Sequence, residues 1–240
     1  MFFKLKAKKS MLPEFIAHAG GGYNGMAYTN SIEALNENTP YYEWFEMDFL
    51  FTSDGELVCG HDWTDTFFEN FGIRPDGPLT LKEFEELTQK NEKYTNCTAY
   101  ILADWMRKNP DKLVVADVKE NNVAALEYLS EKFPDIKQRF IAQVYDPSEY
   151  DSVKALGYEK VIWTLYRYDR INDHRSVIKE AAEMWLLAVA MPDAQAEDGL
   201  ASKLIKALSI PSFVHTVNSR REYAYFKKLG VHGVFTDSLR

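Results

Sequence analysis

The chain has 240 residues with 28 basic and 36 acidic side chains, a formal net charge of −8, and 46% apolar content. That composition excludes disordered, collagenous and low-complexity chains and supplies enough apolar material for a sizeable core. The acidic excess argues against a nucleic-acid partner, since basic residues cluster only within the first nine positions, and an anionic substrate would need a local cation.

The N-terminal MFFKLKAKKS interleaves Lys4, Lys6, Lys8 and Lys9 with Phe2 and Phe3. It lacks the apolar stretch of roughly 7 to 15 residues and the small-residue cleavage site of a secretory signal, so a cytoplasmic location is expected. Its readings are a solvated leader closing the bottom of a fold or a weak membrane-surface contact. The longest apolar run, Met184 to Met191, falls far short of the roughly 18 residues of a spanning helix. Cys59 and Cys97 have no C-x-x-C spacing and are too few for a disulfide framework, so both are expected as core or neutral positions.

From residue 14 onward, short apolar runs alternate with helical periodicity. Strands are expected at Phe15 to His18, Trp44 to Phe51, Leu113 to Lys119, Phe140 to Val144, Val161 to Tyr166, Leu186 to Met191, Ser212 to Thr216 and Gly233 to Asp237. Between them, Val123, Leu126, Leu129 and Phe133 repeat on one helical face, Asp146-Pro147 opens a helix that Gly157 can close, and a last helix runs from Asn218 to Gly230. Eight strand and helix units predict an α/β fold, a single (β/α)8 TIM barrel covering 1–240. An open doubly wound sheet is the competitor, but no G-x-G-x-x-G follows a first strand.

Two features break the rhythm after the second strand. Ser53-Asp54-Gly55-Glu56 is a hairpin signal returning the chain to His61. Residues 63–98 then form a long excursion with one expected short helix, opened by a Thr80 and Glu83 capping box, of the kind that shapes a substrate pocket.

Polar residues against the pattern locate a candidate site. Trp44, Glu46 and Asp48 share one strand face while Phe45, Met47 and Phe49 share the other. The apolar face must pack on helices, so Glu46 and Asp48 point into the barrel mouth, where paired carboxylates are costly without a cation. Asp117 and Lys119 close an otherwise apolar strand in the same way, and a third carboxylate completes an oxygen-rich site for Mg²⁺ or Ca²⁺. The alternative is a structural network neutralised by Lys119. His18, followed by Ala19-Gly20-Gly21-Gly22, and His61 flank this cluster and suit acid-base work, whereas His174 and His232 lack such a setting.

These residues resemble the glycerophosphodiester phosphodiesterase family, a branch of the phosphatidylinositol-phospholipase-C-like barrel enzymes. The resemblance runs through His18-Ala19-Gly20, Thr29-Asn30-Ser31, Glu46-Met47-Asp48, Asp54-Gly55, His61-Asp62, Asp117-Val118-Lys119, Thr216-Val217-Asn218 and Gly230 to Asp237. It implies Glu46, Asp48 and Asp117 as ligands of a divalent cation, His18 and His61 as the acid-base pair, and Lys119 as a phosphate contact. It further implies attack of the glycerol 2-hydroxyl on phosphorus, with a cyclic phosphate hydrolysed afterwards. This sequence departs from the family pattern at Ala19, where the family carries Arg, at Asp117, where it carries Glu, and at His215, where Trp is usual. Arg167 or Arg170, just beyond the fifth strand, is placed to supply the missing phosphate cation. The expected partner is a small phosphodiester. Competing functions are a barrel that binds such diesters with little turnover and a phospholipase acting on lipid headgroups.

Overall fold

The computed structural model describes residues 12–240, so the basic leader and its membrane-contact reading lie outside the described residues. Nine strands form: β1 (Phe15–Ala17), β2 (Trp44–Phe51), β3 (Leu57–Cys59), β4 (Leu113–Asp117), β5 (Phe140–Val144), β6 (Val161–Thr164), β7 (Ala188–Met191), β8 (Ser212–Val214) and β9 (Gly233–Thr236). Eight of them are parallel neighbours, and β1 bonds both β2 and β9, which closes the sheet into a (β/α)8 barrel. β3 pairs antiparallel with β2, as the Asp54-Gly55 turn predicts.

Alternation along the strands builds the interior in two layers. At the bottom, Ile16, Trp44, Val115, Ile141, Phe213 and Phe235 make a closed apolar plug. Two residues further along the same faces come His18, Glu46, Asp117, Gln143, Thr164 and His215, so the polar layer sits at the C-terminal mouth. The opposite faces, Phe45, Met47 and Phe49 among them, pack outward on the helical layer. Several expected strands stop early because their last polar residues leave the ladder to line this mouth; His18 already sits in a 3-10 turn.

The helices follow their caps. Asn122–Lys132 buries Leu126 and Leu129 with Phe133 behind them, and Ser219 caps Arg220–Lys228. The Asp146-Pro147 start gives a 3-10 turn, Pro147–Glu149, that runs into Tyr150–Ala155. Gly157, with φ 86°, then reverses the chain. No helix among the described residues is long and apolar enough to cross a membrane.

The excursion differs from expectation in two ways. It holds two helices rather than one, Asp65–Phe71 and Leu81–Lys90, the second opened by the expected Thr80 and Glu83 capping box. Both supply apolar residues to a small core of their own, where Phe67 and Phe84 meet Val58. The first helix was hidden because it is only 7 residues long, too short to show periodicity.

Cys59 and Cys97 are core residues, but they are joined in a disulfide with Cα atoms 5.1 Å apart. This corrects the expectation of unpaired cysteines. A separation of 38 residues conceals that the hairpin's return strand lies beside the end of the excursion, where the Cys59 N–H donates to Cys97 O at 2.7 Å. The bond closes the excursion at its base and fixes the segment that leads into His61. Persistent disulfides belong to oxidising compartments, so the cytoplasmic expectation draws no support from it.

Candidate active site

A cavity of about 210 Å³ opens at the C-terminal mouth, lined by His18, Glu46, Asp48, His61, Asp117 and Lys119 together with Tyr28, Tyr166 and His215. Six of the seven sequence-predicted site residues thus converge, although they come from four separate stretches of chain. Asp48 and Asp117 are direct register partners on β2 and β4. One oxygen from each of Glu46, Asp48 and Asp117 lies within 4.8 Å of the others.

Hydrogen bonds hold each carboxylate in place. Glu46 Oε2 accepts from the Ala19 N–H at 2.7 Å, which the left-handed backbone of Ala19 (φ 48°) aims at it. Asp48 and Asn30 bond reciprocally, Asn30 Nδ2 donating to Oδ2 at 2.9 Å and the Asp48 N–H donating to Asn30 Oδ1 at 3.0 Å. Lys119 Nζ donates to Asp48 Oδ1 at 2.6 Å and lies 3.7 Å from Asp117 Oδ2. Glu46 Oε1 is buried with no partner among the described residues.

Two buried acids and a partly buried third around one ammonium leave excess negative charge. Burial and then the charge of Asp48 raise Glu46 well above the ordinary carboxylate range, and burial likewise raises Asp117. Burial also opposes ionisation of Asp48, but the charge of Lys119, with those of His61 and His18, holds it below its usual value. An orphaned carboxylate oxygen beside two reluctant acids is the donor set a hard divalent cation fits, so these residues suit Mg²⁺ or Ca²⁺.

Both histidines are oriented through Nδ1 by a carboxylate, a pairing whose acidic members carried no role in the sequence reading. His18 Nδ1 lies 2.8 Å from Asp237 Oδ1, and Asn218 Nδ2 donates to the other Asp237 oxygen at 2.6 Å. His61 Nδ1 lies 2.8 Å from Asp62 Oδ2, and Asp62 Oδ1 accepts from the Thr64 and Thr66 N–H groups. Nδ1 is therefore the nitrogen that the carboxylate engages on each ring. Tyr28 stands edge-on to both rings, at 4.4 Å from His18 and 5.3 Å from His61.

Burial works against a charged His18, but the bond to Asp237 and the charges of Glu46 and Asp48 push it up to about 9 from 6.5. The imidazolium's contribution to stability is therefore present below pH 6.5 and lost as pH rises through about 9. A bound divalent cation offsets Glu46 and Asp48, so the expected result in a ¹⁵N-¹H NMR titration is a lower His18 midpoint on adding Mg²⁺ or Ca²⁺. An unmoved midpoint would separate His18 from the carboxylate cluster.

The glycerophosphoryl diester phosphodiesterase family model matches residues 18–240. The chain belongs to this family. No sequence among the curated proteins matches it. Solved structures share the fold. A glycerophosphodiester phosphodiesterase from Thermotoga maritima is 22% identical with TM-score 0.67, covering 93% of this chain and 94% of that one. One from Parabacteroides distasonis is 16% identical with TM-score 0.72, covering 93% and 92%. A phosphodiesterase from Oleispira antarctica, solved in complex with its product sn-glycerol-3-phosphate, is 18% identical with TM-score 0.70, covering 95% and 94%.

Ala19 and Thr29 are both fully buried, and the Asn30 N–H donates to Ala19 O at 3.2 Å. Arg167 does not line this cavity; it is exposed, donates to Lys119 O and sits over the Tyr145 ring, on a neighbouring cavity that shares Lys119. Arg170 is tied to Asp173 and Ser176 on the helix that follows. His215 faces Tyr166 and Phe235 edge-on, and burial, with the charges of His18 and Lys119, lowers it to about 4, so it is a neutral wall of the cavity. His174 and His232 lie away from the site, beside Lys203 and Leu12 O.

Proposed function

We propose that the enzyme hydrolyses glycerophosphodiesters to glycerol phosphate and an alcohol, with a divalent cation and two histidines. The observation that carries this reading is the pair of histidine–carboxylate dyads facing a three-carboxylate cluster in one cavity. A pure binding protein needs neither dyad. The cavity volume of about 210 Å³ lies below the roughly 300–1,000 Å³ of drug-sized pockets and suits a group the size of glycerol phosphate. The Oleispira antarctica neighbour, with its sn-glycerol-3-phosphate product, supports the same substrate class.

Glu46, Asp48 and Asp117 would hold the cation, which supplies offset for charge on the phosphoryl oxygens. His61 takes the proton of the glycerol 2-hydroxyl as its oxygen attacks phosphorus. His18, charged at neutral pH, gives its proton to the departing alcohol oxygen. In the second half, His18 accepts a proton from water as the hydroxide oxygen bonds to phosphorus, and His61 returns a proton to the 2-oxygen as the cyclic phosphate opens. Lys119, fixed by Asp48, offers a point charge to a phosphate oxygen.

Arg167 would act from the neighbouring cavity that shares Lys119, as an exposed, screened cation. Arg167→Ala should raise KM about 3-fold to 10-fold and leave kcat near its wild-type value, consistent with a partly screened charge contact. Unchanged kinetics would remove Arg167 from the site. The reading as a whole is tested by supplying glycerophosphocholine, glycerophosphoethanolamine and bis-p-nitrophenyl phosphate and identifying products by ³¹P NMR. Glycerol phosphate released from the first two supports it; release of phosphocholine or phosphoethanolamine instead would place the cleavage on the other ester bond and overturn it.

A further inference from the structure

Tyr145 follows the end of β5 and is buried, with 4% of its surface exposed. Its hydroxyl oxygen accepts the Val118 N–H at 2.8 Å, so its own proton is directed elsewhere, and Asp117 Oδ1 lies 2.5 Å away. Tyr166 approaches the same oxygen at 3.5 Å. Asp117 Oδ1 is thereby engaged, and Oδ2 is left facing Lys119. An Asp side chain is short, with two torsions to fix, and among the described residues its other polar side-chain contacts are long, Tyr166 at 3.5 Å and the Lys119 ion pair at 3.7 Å.

The geometry points to Tyr145 as a positioning residue that selects which oxygen of Asp117 meets a divalent cation and holds that short carboxylate within the cluster. This rests on the proposed cation site. Partners that orient a ligating carboxylate are worth about 10-fold to 100-fold in metal affinity. The hydroxyl and the length of residue 117 are matched: a longer carboxylate reaches the same place only if the hydroxyl is absent.

The test is calorimetric titration of the full chain with Mn²⁺ and with Ca²⁺, for wild type, Tyr145→Phe, Asp117→Glu and the double variant. Tyr145→Phe is expected to weaken binding about 10-fold to 100-fold. Asp117→Glu alone should also weaken it, because the added methylene drives the carboxylate against the Tyr145 hydroxyl. The double variant should recover to within about 3-fold of wild type, a coupling that contacting residues show and independent ones do not. Wild-type affinity in Tyr145→Phe, or losses that simply multiply in the double variant, would overturn the assignment. Asp117→Glu alone is decisive should Tyr145→Phe not fold, since undiminished affinity there means that the hydroxyl sets no limit. Absence of cation binding by the wild type would overturn this assignment and the cation reading together, whereas wild-type binding with an unaffected Tyr145→Phe overturns this assignment only.

Discussion

His18→Ala should lower turnover of glycerophosphocholine by about 10²-fold to 10⁴-fold, the range for removal of a general acid or base. The same variant should release p-nitrophenol from glycerol 3-(p-nitrophenyl phosphate) within about 10-fold of the wild-type rate, because a leaving group of low basicity needs no proton from an acid. Cyclic glycerol phosphate should then accumulate, since water activation in the second half also passes through His18. His61→Ala should lose both substrates by about 10²-fold to 10⁴-fold, as the attacking hydroxyl has no base in either case. The asymmetry follows from the charges around the rings: His18 faces Glu46, Asp48 and Asp237 and is held as imidazolium. Equal loss of both substrates in His18→Ala would assign the roles the other way, and unaltered turnover in either variant would remove that ring from the chemistry.

Glu46→Gln should separate stability from function. Glu46 Oε2 accepts the Ala19 N–H and Oε1 has no partner among the described residues, so an amide oxygen preserves the one bond the fold uses. The carboxyl is raised well above 4.5 by burial and by Asp48, so the metal-free fold loses stability as pH rises from 4.5 toward that raised value. The amide removes this pH dependence. Thermal unfolding in chelator at neutral pH is therefore expected to show Glu46→Gln at or above the wild-type midpoint, while activity is lost. A cation at about 100 times its Kd adds about 2.7 kcal/mol to a protein that binds it, so Ca²⁺ or Mg²⁺ should raise the wild-type midpoint and leave the variant almost unmoved. A metal-free variant much less stable than wild type would mean that Glu46 is a structural ion-pair partner.

The barrel and most of the site were legible because strand alternation is strict. Glu46 and Asp48 share a face with Trp44, which the barrel interior swallows, so their direction followed from three residues of sequence. Asp117 was found the same way. The groups that hold these residues were not legible, because side-chain partners have no period. Asp237 lies 219 residues from His18 and meets it only when β9 pairs with β1, and Tyr145 lies 28 from Asp117 and meets it only when β5 pairs with β4. Asp62 adjoins His61 and continues a motif, so its role could have been found; that of Tyr145 could not, because an aromatic at a strand end reads first as core. The disulfide was missed for the same topological reason, as the hairpin and the end of the excursion approach only in three dimensions. Proximity to the fifth barrel strand placed Arg167 near the mouth, but its guanidinium turns to Lys119 O and the neighbouring cavity.

The most direct measurement of the central claim is turnover of glycerophosphocholine by one preparation in sequence: as purified with Mg²⁺ or Ca²⁺, after removal of the cation by chelator, and after its return. The carboxylate cluster of Glu46, Asp48 and Asp117 predicts glycerol phosphate and choline in the first state, loss of turnover by at least about 10²-fold in the second, and recovery in the third. Turnover that persists unchanged in chelator would contradict the role of the cluster, and binding of the diester without turnover in any state would contradict the reading as a hydrolase of this substrate.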